Sequence, residues 1–272
     1  MGGFILLLAL LAAAALLYDG NTRIVTTEYE VFFNSLPAAF DGYRILELSD
    51  LHAAELGADN ARLIAAVRDA KPDMIAVTGD MIDAPGQLPA VLPLMKTLTE
   101  IAPVYFVTGN HEWDSGEVRE LLAALPEYGV TVLRNQCVTL ERGGAEIVLL
   151  GLDDRNGPAD MLRPPEVFAR LRAQHGDAFV VTLVHRNDYL SALSELGCDL
   201  VVCGHAHGGI VRPPFTDGLI GPNREWFPTY TNGVYTEGGT TMVVSRGVGN
   251  HTGYPRFLNN PHLPVAVLRS YE

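Results

Sequence analysis

Five short polar clusters carry the side chains best suited to chemistry, and each follows a short apolar run. In chain order they are Ser49-Asp50-Leu51-His52, Gly79-Asp80-Met81-Ile82-Asp83, Gly109-Asn110-His111-Glu112, His185 and Gly204-His205-Ala206-His207-Gly208. Their candidate ligand atoms are oxygens and imidazole nitrogens, because no cysteine occurs in any cluster. This mixture suits Mn, Fe or Zn and contains too much nitrogen for a Ca or Mg cage.

Two aspartates, one asparagine and four histidines would make seven ligands, too many for one tetrahedral ion but suited to two ions sharing a carboxylate. Two ions about 3.5–4 Å apart activate a bridging hydroxide and clamp the oxygens of an in-line phosphoryl displacement. Each cluster alone also fits a structural histidine or a turn, as at Gly79-Asp80 and Gly109-Asn110. Their combination favours a metal centre, because five of the eight histidines lie in the clusters. We interpret His175 (helix end) and His262 (Pro/Asn loop) as structural, whereas His251 stays unassigned.

Alternating strands and helices position these clusters. The pattern predicts strands over residues 26–33, 44–48, 74–77, 104–107, 179–184, 200–203, 240–244 and 265–268, and a hairpin over 138–150 that turns at Gly143-Gly144. Helices are predicted over residues 60–70 with Asp59 as N-cap, over 88–98, after the N-cap Ser115, and over 165–173. This alternation indicates a layered α/β fold in one domain, whose clusters converge where the carboxyl ends of strands meet.

Composition narrows the class of protein further. The chain has 272 residues with 19 Lys+Arg and 32 Asp+Glu, a net charge of −13, and 48% apolar residues, which excludes wholesale disorder. The acidic balance argues against binding of duplex nucleic acid, which needs a broad basic surface. Three cysteines are too few for a disulfide framework, and Cys198 and Cys203 flank an apolar run that predicts their burial.

The N-terminal segment is an unbroken apolar run from Phe4 to Leu17. A helix over residues 1–18 would be roughly 27 Å long, just short of the ~30 Å hydrocarbon core of a bilayer. We consider an uncleaved signal anchor, a signal peptide cleaved near Ala12–Ala15, and a core helix, which is disfavoured because the segment has no polar face. No basic excess follows the segment, so we expect the catalytic part to lie outside the cytoplasm.

The five clusters, over residues 44–210, resemble the calcineurin-like metallophosphoesterase superfamily, whose pattern is Asp-x-His, Gly-Asp, Gly-Asn-His-Asp/Glu, His and Gly-His-x-His. Stretches such as Phe40-Asp41-Gly42 and Ser245-Arg246-Gly247-Val248-Gly249 resemble its bacterial YkuE/YaeI-like, membrane-associated branch. The resemblance implies a four-layer α-β-β-α sandwich. It divides the chain into a membrane anchor or signal peptide (1–18), a connecting segment with the first strand (19–40) and the metallophosphoesterase domain (41–272).

The resemblance also implies a role for each residue. Asp50, His52 and His207 would bind one metal ion, Asn110, His185 and His205 the second, and Asp80 would bridge both. His111 would act as general acid or charge-stabilising donor near the leaving group, and Asp83 would orient it. Related phosphoprotein phosphatases have an arginine where this chain has Ala84, which argues against protein dephosphorylation.

The function predicted is phosphoester hydrolysis by a membrane-tethered enzyme with two divalent metal ions (Mn, Fe or Zn). One alternative is a non-catalytic binding scaffold of the same fold, and another is a different hydrolytic reaction such as amide hydrolysis. The branch implies a lipid-linked or nucleotide-sugar substrate such as UDP-2,3-diacylglucosamine, or a phosphate-bearing envelope polymer. Arg212 and Arg246 are the candidate contacts for substrate phosphate.

Overall fold

A computed structural model of the chain describes residues 2–250, 253 and 255–271, so His251 lies outside the described residues. The helices are α1 (Gly2–Thr22), α2 (Ala61–Asp69), α3 (Leu88–Thr99), α4 (Asn110–Asp114), α5 (Val118–Ala124), α6 (Pro164–His175) and α7 (Leu190–Glu195). The strands are β1 (Val25–Phe33), β2 (Arg44–Leu48), β3 (Met74–Val77), β4 (Val104–Phe106), β5 (Thr131–Val132), β6 (Gln136–Arg142), β7 (Ala145–Gly151), β8 (Val180–Leu183), β9 (Leu200–Cys203), β10 (Gly233–Glu237), β11 (Thr240–Val244) and β12 (His262–Ser270).

Within the described residues, these strands form two six-stranded sheets. Their orders are β1-β12-β2-β3-β4-β5 and β10-β11-β9-β8-β7-β6. One apolar core lies between the sheets, a second joins the outer face of the first sheet to α2, α3 and α5, and a third joins the second sheet to α6 and α7. The predicted four-layer α-β-β-α sandwich is therefore confirmed.

Most neighbouring strands of the two sheets are parallel, and the central ones are buried on both faces. β2, β3, β4 and β5 are parallel neighbours in the first sheet, as are β7, β8, β9 and β11 in the second. Burial on both faces explains runs such as Met74-Ile75-Ala76-Val77, in which every side chain is apolar. The predicted hairpin is confirmed as the antiparallel pair β6–β7, which turns at Gly143-Gly144.

Several local predictions were wrong. Asp59 does not cap α2, because Asn60 occupies the cap position and its Oδ1 accepts the Leu56 N–H at 2.9 Å. Ser115 lies at the end of α4, where its hydroxyl donates to the Glu112 carbonyl. His262 is not in a loop but is fully buried at the start of β12. Cys198 and Cys203 are buried as predicted.

Helix α1 projects away from the packed layers. Of its described side chains, almost all are exposed over residues 2–17, and the helix is long and apolar enough to cross a membrane. The core-helix interpretation is therefore wrong. Only the last turns of α1 contact the domain, where the Asn21 side-chain amide donates to the Arg256 carbonyl at 2.9 Å and the Arg256 N–H donates to Asn21 Oδ1 at 3.1 Å.

Candidate metal centre

All five polar clusters meet at one edge of the sandwich. They follow β2, β3 and β4 in the first sheet and β8 and β9 in the second. Hydrogen bonds join the two edges directly, because the His205 N–H donates to Asp50 Oδ2 at 3.1 Å and His185 Nδ1 lies 2.7 Å from the Thr78 carbonyl oxygen. The carboxyl ends of both sheets thus bring together side chains that lie up to 157 residues apart in the chain, as between Asp50 and His207.

Five of the seven candidate ligands adopt a backbone conformation with positive φ: Asp50 (55°), His52 (51°), Asp80 (56°), His205 (66°) and His207 (46°). This left-handed region is uncommon for residues other than glycine and costs about 1–3 kcal/mol for each one. The surrounding packing therefore holds the ligand-bearing loops in conformations that the free chain disfavours, which is common at functional sites.

The loops after β3 and β4 approach each other closely. Gly79 has φ +89°, and a Cβ built on it would lie 2.3 Å from the Gly109 nitrogen, so only glycine fits there. The Glu112 carboxylate joins the same two loops by accepting the N–H groups of Asp80 at 2.8 Å, Met81 at 2.6 Å and Gly109 at 2.7 Å. Burial, with the nearby Asp80 carboxylate, raises the pKa of Glu112 to about 7. Sequence reasoning missed this role of Glu112, although the residue closes the third cluster.

Asp50, His52 and His207 form a first buried group of metal-binding atoms. His52 Nε2 lies 3.2 Å from His207 Nε2, and Asp50 Oδ1 lies 3.5 Å from His207 Nε2 and 3.9 Å from His52 Nε2. All three side chains are buried. Their atoms converge closely enough to hold one metal ion.

Asp80, His185 and His205 form a second group beside the first. His185 Nε2 lies 3.1 Å from Asp80 Oδ2 and 3.1 Å from His205 Nδ1. Asp80 Oδ2 is also 4.0 Å from His52 Nε2, so this carboxylate lies between the two groups. Asn110 lines the same cavity as Asp80 and His205.

The donor atoms of both groups fit divalent metal ions. Asp50 Oδ1 and Asn110 Oδ1 are buried and accept no hydrogen bond from the described residues. Burial lowers the pKa values of His205 and His207 well below the usual range, so both rings are neutral and keep a lone pair for a metal. Buried acceptors without donors and neutral imidazoles are the chemistry that a cation-binding site needs.

Asp80 and His185 form a buried ion pair. Burial by itself lowers the pKa of His185, but the adjacent Asp80 carboxylate outweighs this and raises it to about 10. Conversely, burial by itself raises the pKa of Asp80, but His185 holds it well below its usual range. The bond from His185 Nδ1–H to the Thr78 carbonyl fixes the ring so that Nε2 faces Asp80.

His111 lies beside the two groups at the start of α4. Its Nδ1 is 3.1 Å from Asp83 Oδ1, and its backbone N–H donates to Asp80 Oδ1 at 2.9 Å. The His111 ring is partly exposed to the cavity, unlike the buried ring of His52, to which it lies edge-on. The structure therefore brings His111 and Asp83 together.

A cavity of about 360 Å³ lies over the centre and includes a buried arginine that sequence reasoning missed. Arg186 Nε donates to Asp154 Oδ2 at 2.7 Å, and its Nη2 donates to Asn156 Oδ1 at 3.2 Å. Arg186 and Asn156 both line the cavity. Arg186 directly follows His185 of the fourth cluster, and this adjacency was the available signal.

The two arginines expected to contact substrate lie elsewhere. Arg212 Nη1 donates to the carbonyls of Gly208 at 2.8 Å and Asp217 at 2.9 Å, so it holds the loop after His207. The Arg246 side chain packs against Gly208, and neither arginine lines the cavity.

Comparison with known proteins identifies related sequences. The profile of the calcineurin-like phosphoesterase family matches residues 43–209. The metallophosphoesterase YkuE of Bacillus subtilis is 32% identical over 253 residues, which cover 91% of this chain and 86% of YkuE. The phosphodiesterase YaeI of Escherichia coli is 28% identical over 228 residues, 82% of this chain and 80% of YaeI.

A solved structure shares the fold. The crystal structure of TT1561 of Thermus thermophilus superposes with a TM-score of 0.50 and 16% sequence identity, covering 75% of this chain and 89% of that chain. The likeness concerns the arrangement of the strands and helices.

Proposed function

The chain belongs to the calcineurin-like phosphoesterase family, a family of metal-dependent phosphoester hydrolases, and we propose that two divalent ions act at the centre described above. The observation that carries this proposal is the position of Asp80 between two groups of buried ligand atoms. A single carboxylate that faces both groups is the arrangement expected for a shared bridge.

We assign Asp50, His52 and His207 to one ion and Asn110, His185 and His205 to the other, with Asp80 between them. Mn, Fe and Zn all suit this set of ligands. When bound, two such ions supply Lewis-acid activation of water and compensation of the negative charge on the phosphoryl oxygens. The complete set of ligands argues against a non-catalytic scaffold, which has no need to keep so many buried ligand atoms together.

The residues around the ions supply the remaining steps. His111, which faces the cavity and is held by Asp83, donates a proton to the leaving-group oxygen as that oxygen departs. Arg186, which lines the same cavity, contributes positive charge, and Asp154 and Asn156 fix its guanidinium in place. These groups orient the phosphoester and balance its charge without moving during the reaction.

The second part of the proposal is that the N-terminal apolar helix tethers the protein to a membrane. Residues 1–18 would anchor the protein in a membrane, residues 19–40 would connect the anchor to the domain, and residues 41–272 would form the phosphoesterase domain. The exposed apolar surface of α1 supports the anchor. Arg23 is the single basic residue among residues 18–40, which favours placement of the domain outside the cytoplasm.

The test uses full-length protein purified in detergent and loaded with Mn, Fe or Zn. We expect two metal equivalents per chain and hydrolysis of an aryl phosphodiester, with no hydrolysis of the matching aryl amide. Asp80→Ala should lose metal from both positions and lower turnover by several orders of magnitude. Two full metal equivalents in folded Asp80→Ala would contradict the shared bridge, and cleavage of the amide alone would contradict the reaction class.

A further inference from the structure

The metal-bearing edge of the sandwich is also the edge at which α1 joins the domain. β1 begins at Val25, directly after α1 ends at Thr22, and it pairs in parallel with β12. Because β12 runs antiparallel to β2, the start of β1 lies beside the carboxyl end of β2, where Asp50 follows. The apolar helix therefore leaves the domain at the end that holds the metal centre.

Three aromatic side chains are exposed on the loop that follows the last ligand cluster, residues 211–230. Phe215 is fully exposed, and Trp226 and Phe227 are 68% and 70% exposed. The same loop lines the cavity over the metal centre through Pro222 and Asn223. We call residues 211–230 the aromatic loop; it combines an exposed apolar surface with a wall of the cavity over the metal centre.

Backbone hydrogen bonds hold the aromatic loop in a defined shape. The Leu219 N–H donates to the Val211 carbonyl at 2.9 Å, and the Phe227 N–H donates to the Leu219 carbonyl at 3.0 Å. The rings of Trp226 and Phe227 lie beside each other, with centroids 6.3 Å apart. The two rings are therefore exposed on a turn whose shape is fixed by backbone hydrogen bonds.

The base of the aromatic loop lies next to the end of α1. The Arg212 N–H donates to the Phe257 carbonyl at 3.0 Å, and the preceding Arg256 exchanges hydrogen bonds with Asn21 of α1. Phe215 follows Arg212 by three residues, which can span about 10 Å at most. The exposed Phe215 ring is therefore close to the point where α1 leaves the domain.

The charge of this loop suits a lipid surface. Residues 211–230 contain two arginines and two acidic residues, a net charge of zero in a chain whose net charge is −13. A neutral segment is not repelled by anionic headgroups, whereas the rest of this acidic domain is. Exposed Trp and Phe side chains are preferred where bilayer and water meet.

We propose that the aromatic loop inserts Phe215, Trp226 and Phe227 into the bilayer interface beside α1, so that the metal centre faces the membrane surface. The substrate class that follows is a phosphoester carried by a membrane lipid, with its phosphorus at headgroup depth. This inference rests on the tether and the metal centre proposed above. A protein partner or a second copy of the chain on this loop is the competing outcome.

Fluorescence tests the insertion directly, because Trp113 and Trp226 are the two tryptophans of the chain. Full-length wild type and Trp226→Phe are reconstituted into phosphatidylcholine vesicles with plain or brominated acyl chains. We expect brominated lipid to quench the wild-type emission and to leave the emission of Trp226→Phe unchanged. Equal wild-type emission in both kinds of vesicle, while the protein floats with them, would overturn the insertion. Wild type that fails to float would overturn the tether instead.

Activity provides an independent test with a matched control. Phe32 is another exposed aromatic, but it lies on β1 seven residues beyond Val25, about 23 Å from the metal-bearing end. We expect the combined variant Phe215→Ser, Trp226→Ser, Phe227→Ser to lower the ratio of activity on a vesicle-embedded to a soluble phosphodiester by about tenfold. Phe32→Ser should keep the wild-type ratio. An unchanged ratio in the combined variant would overturn the proposal, and wild type inactive on the soluble substrate would overturn the metal centre.

Discussion

The Asp83 carboxylate lies 2.5 Å from Nδ1 of His52, and the same oxygen lies 3.1 Å from Nδ1 of His111. His52 therefore presents Nε2 toward Asp50 and His207, as a metal ligand supported by a carboxylate usually does. Asp83 thus joins a proposed metal ligand to the proposed general acid. The resemblance to phosphatases assigned it to His111 alone, and the geometry adds the contact with His52.

Replacing Asp83 with Asn should lower metal affinity and turnover together. Loss of such a supporting carboxylate typically costs about 10–100-fold in affinity or activity, because His52 is no longer held in its ligating orientation. Calorimetric titration with Mn and turnover on an aryl phosphodiester provide the two measurements. Asp114→Asn is the matched control, since Asp114 lines the same cavity but contacts Asn156. Unchanged metal affinity in Asp83→Asn would restrict its role to His111.

Replacing His111 with Ala should preserve metal content and lower turnover by about 10²–10⁴-fold, the usual contribution of a general acid. The loss should shrink for nitrophenolate leaving groups, which depart without protonation, and grow for alkoxide leaving groups. A series of phosphodiesters with graded leaving-group pKa values measures this dependence. His175→Ala, at the end of α6, is the control for a histidine outside the centre. Equal losses across the series would indicate that His111 positions phosphate instead.

Metal loading should release a proton and weaken as the pH falls. The pKa of His185, which Asp80 raises to about 10 in the metal-free protein, keeps the ring protonated at neutral pH. An imidazole must be neutral to bind a metal ion, so each pH unit below this value should lower the apparent affinity by about tenfold for that proton. Calorimetry in buffers with different ionisation enthalpies counts the protons released. Heat that is independent of the buffer would show that His185 does not lose a proton on loading.

The local sequence pattern predicted the central strands correctly. It did not predict elements whose formation depends on contacts with residues distant in the chain. β3 and β9 match the predicted bounds because burial on both faces makes each a continuous apolar run. β2 also matches, although the buried Glu47 interrupts its apolar residues. The edge strand β10 and the short helix α7 went unpredicted. β10 carries mostly exposed or half-exposed residues, and α7 is less than two turns long, so neither has a clear period.

In the candidate metal centre, too, local sequence predicted some features, whereas contacts between distant residues determined others. Clusters directly after apolar strands predicted that the candidate ligands would meet, because parallel strands of one sheet end at a common edge. The partnership of Arg186 with Asp154 was not predictable, because it joins loops of two different strands and depends on their packing. The burial of His262 likewise results from the pairing of β12 with β1.

The residue at which a truncated chain begins should affect its thermal stability but should not change its activity on soluble substrates. A chain that begins at Asp19 keeps the Asn21 hydrogen bonds to Arg256, whereas one that begins at Thr22 loses both. We expect both chains to be soluble and active on an aryl phosphodiester, because every proposed metal ligand lies beyond residue 49.

The chain that begins at Thr22 should unfold at a lower temperature, because two part-buried hydrogen bonds are worth about 1–3 kcal/mol together. Full-length protein should sediment with membranes, and a protease added outside intact cells should reach its domain. Thermal unfolding compares the melting temperatures of the two truncated chains. Centrifugation compares their membrane association with that of the full-length protein. If the chain that begins at Asp19 aggregates or loses metal, α1 is needed for folding, and the membrane anchor and the outward orientation are both refuted.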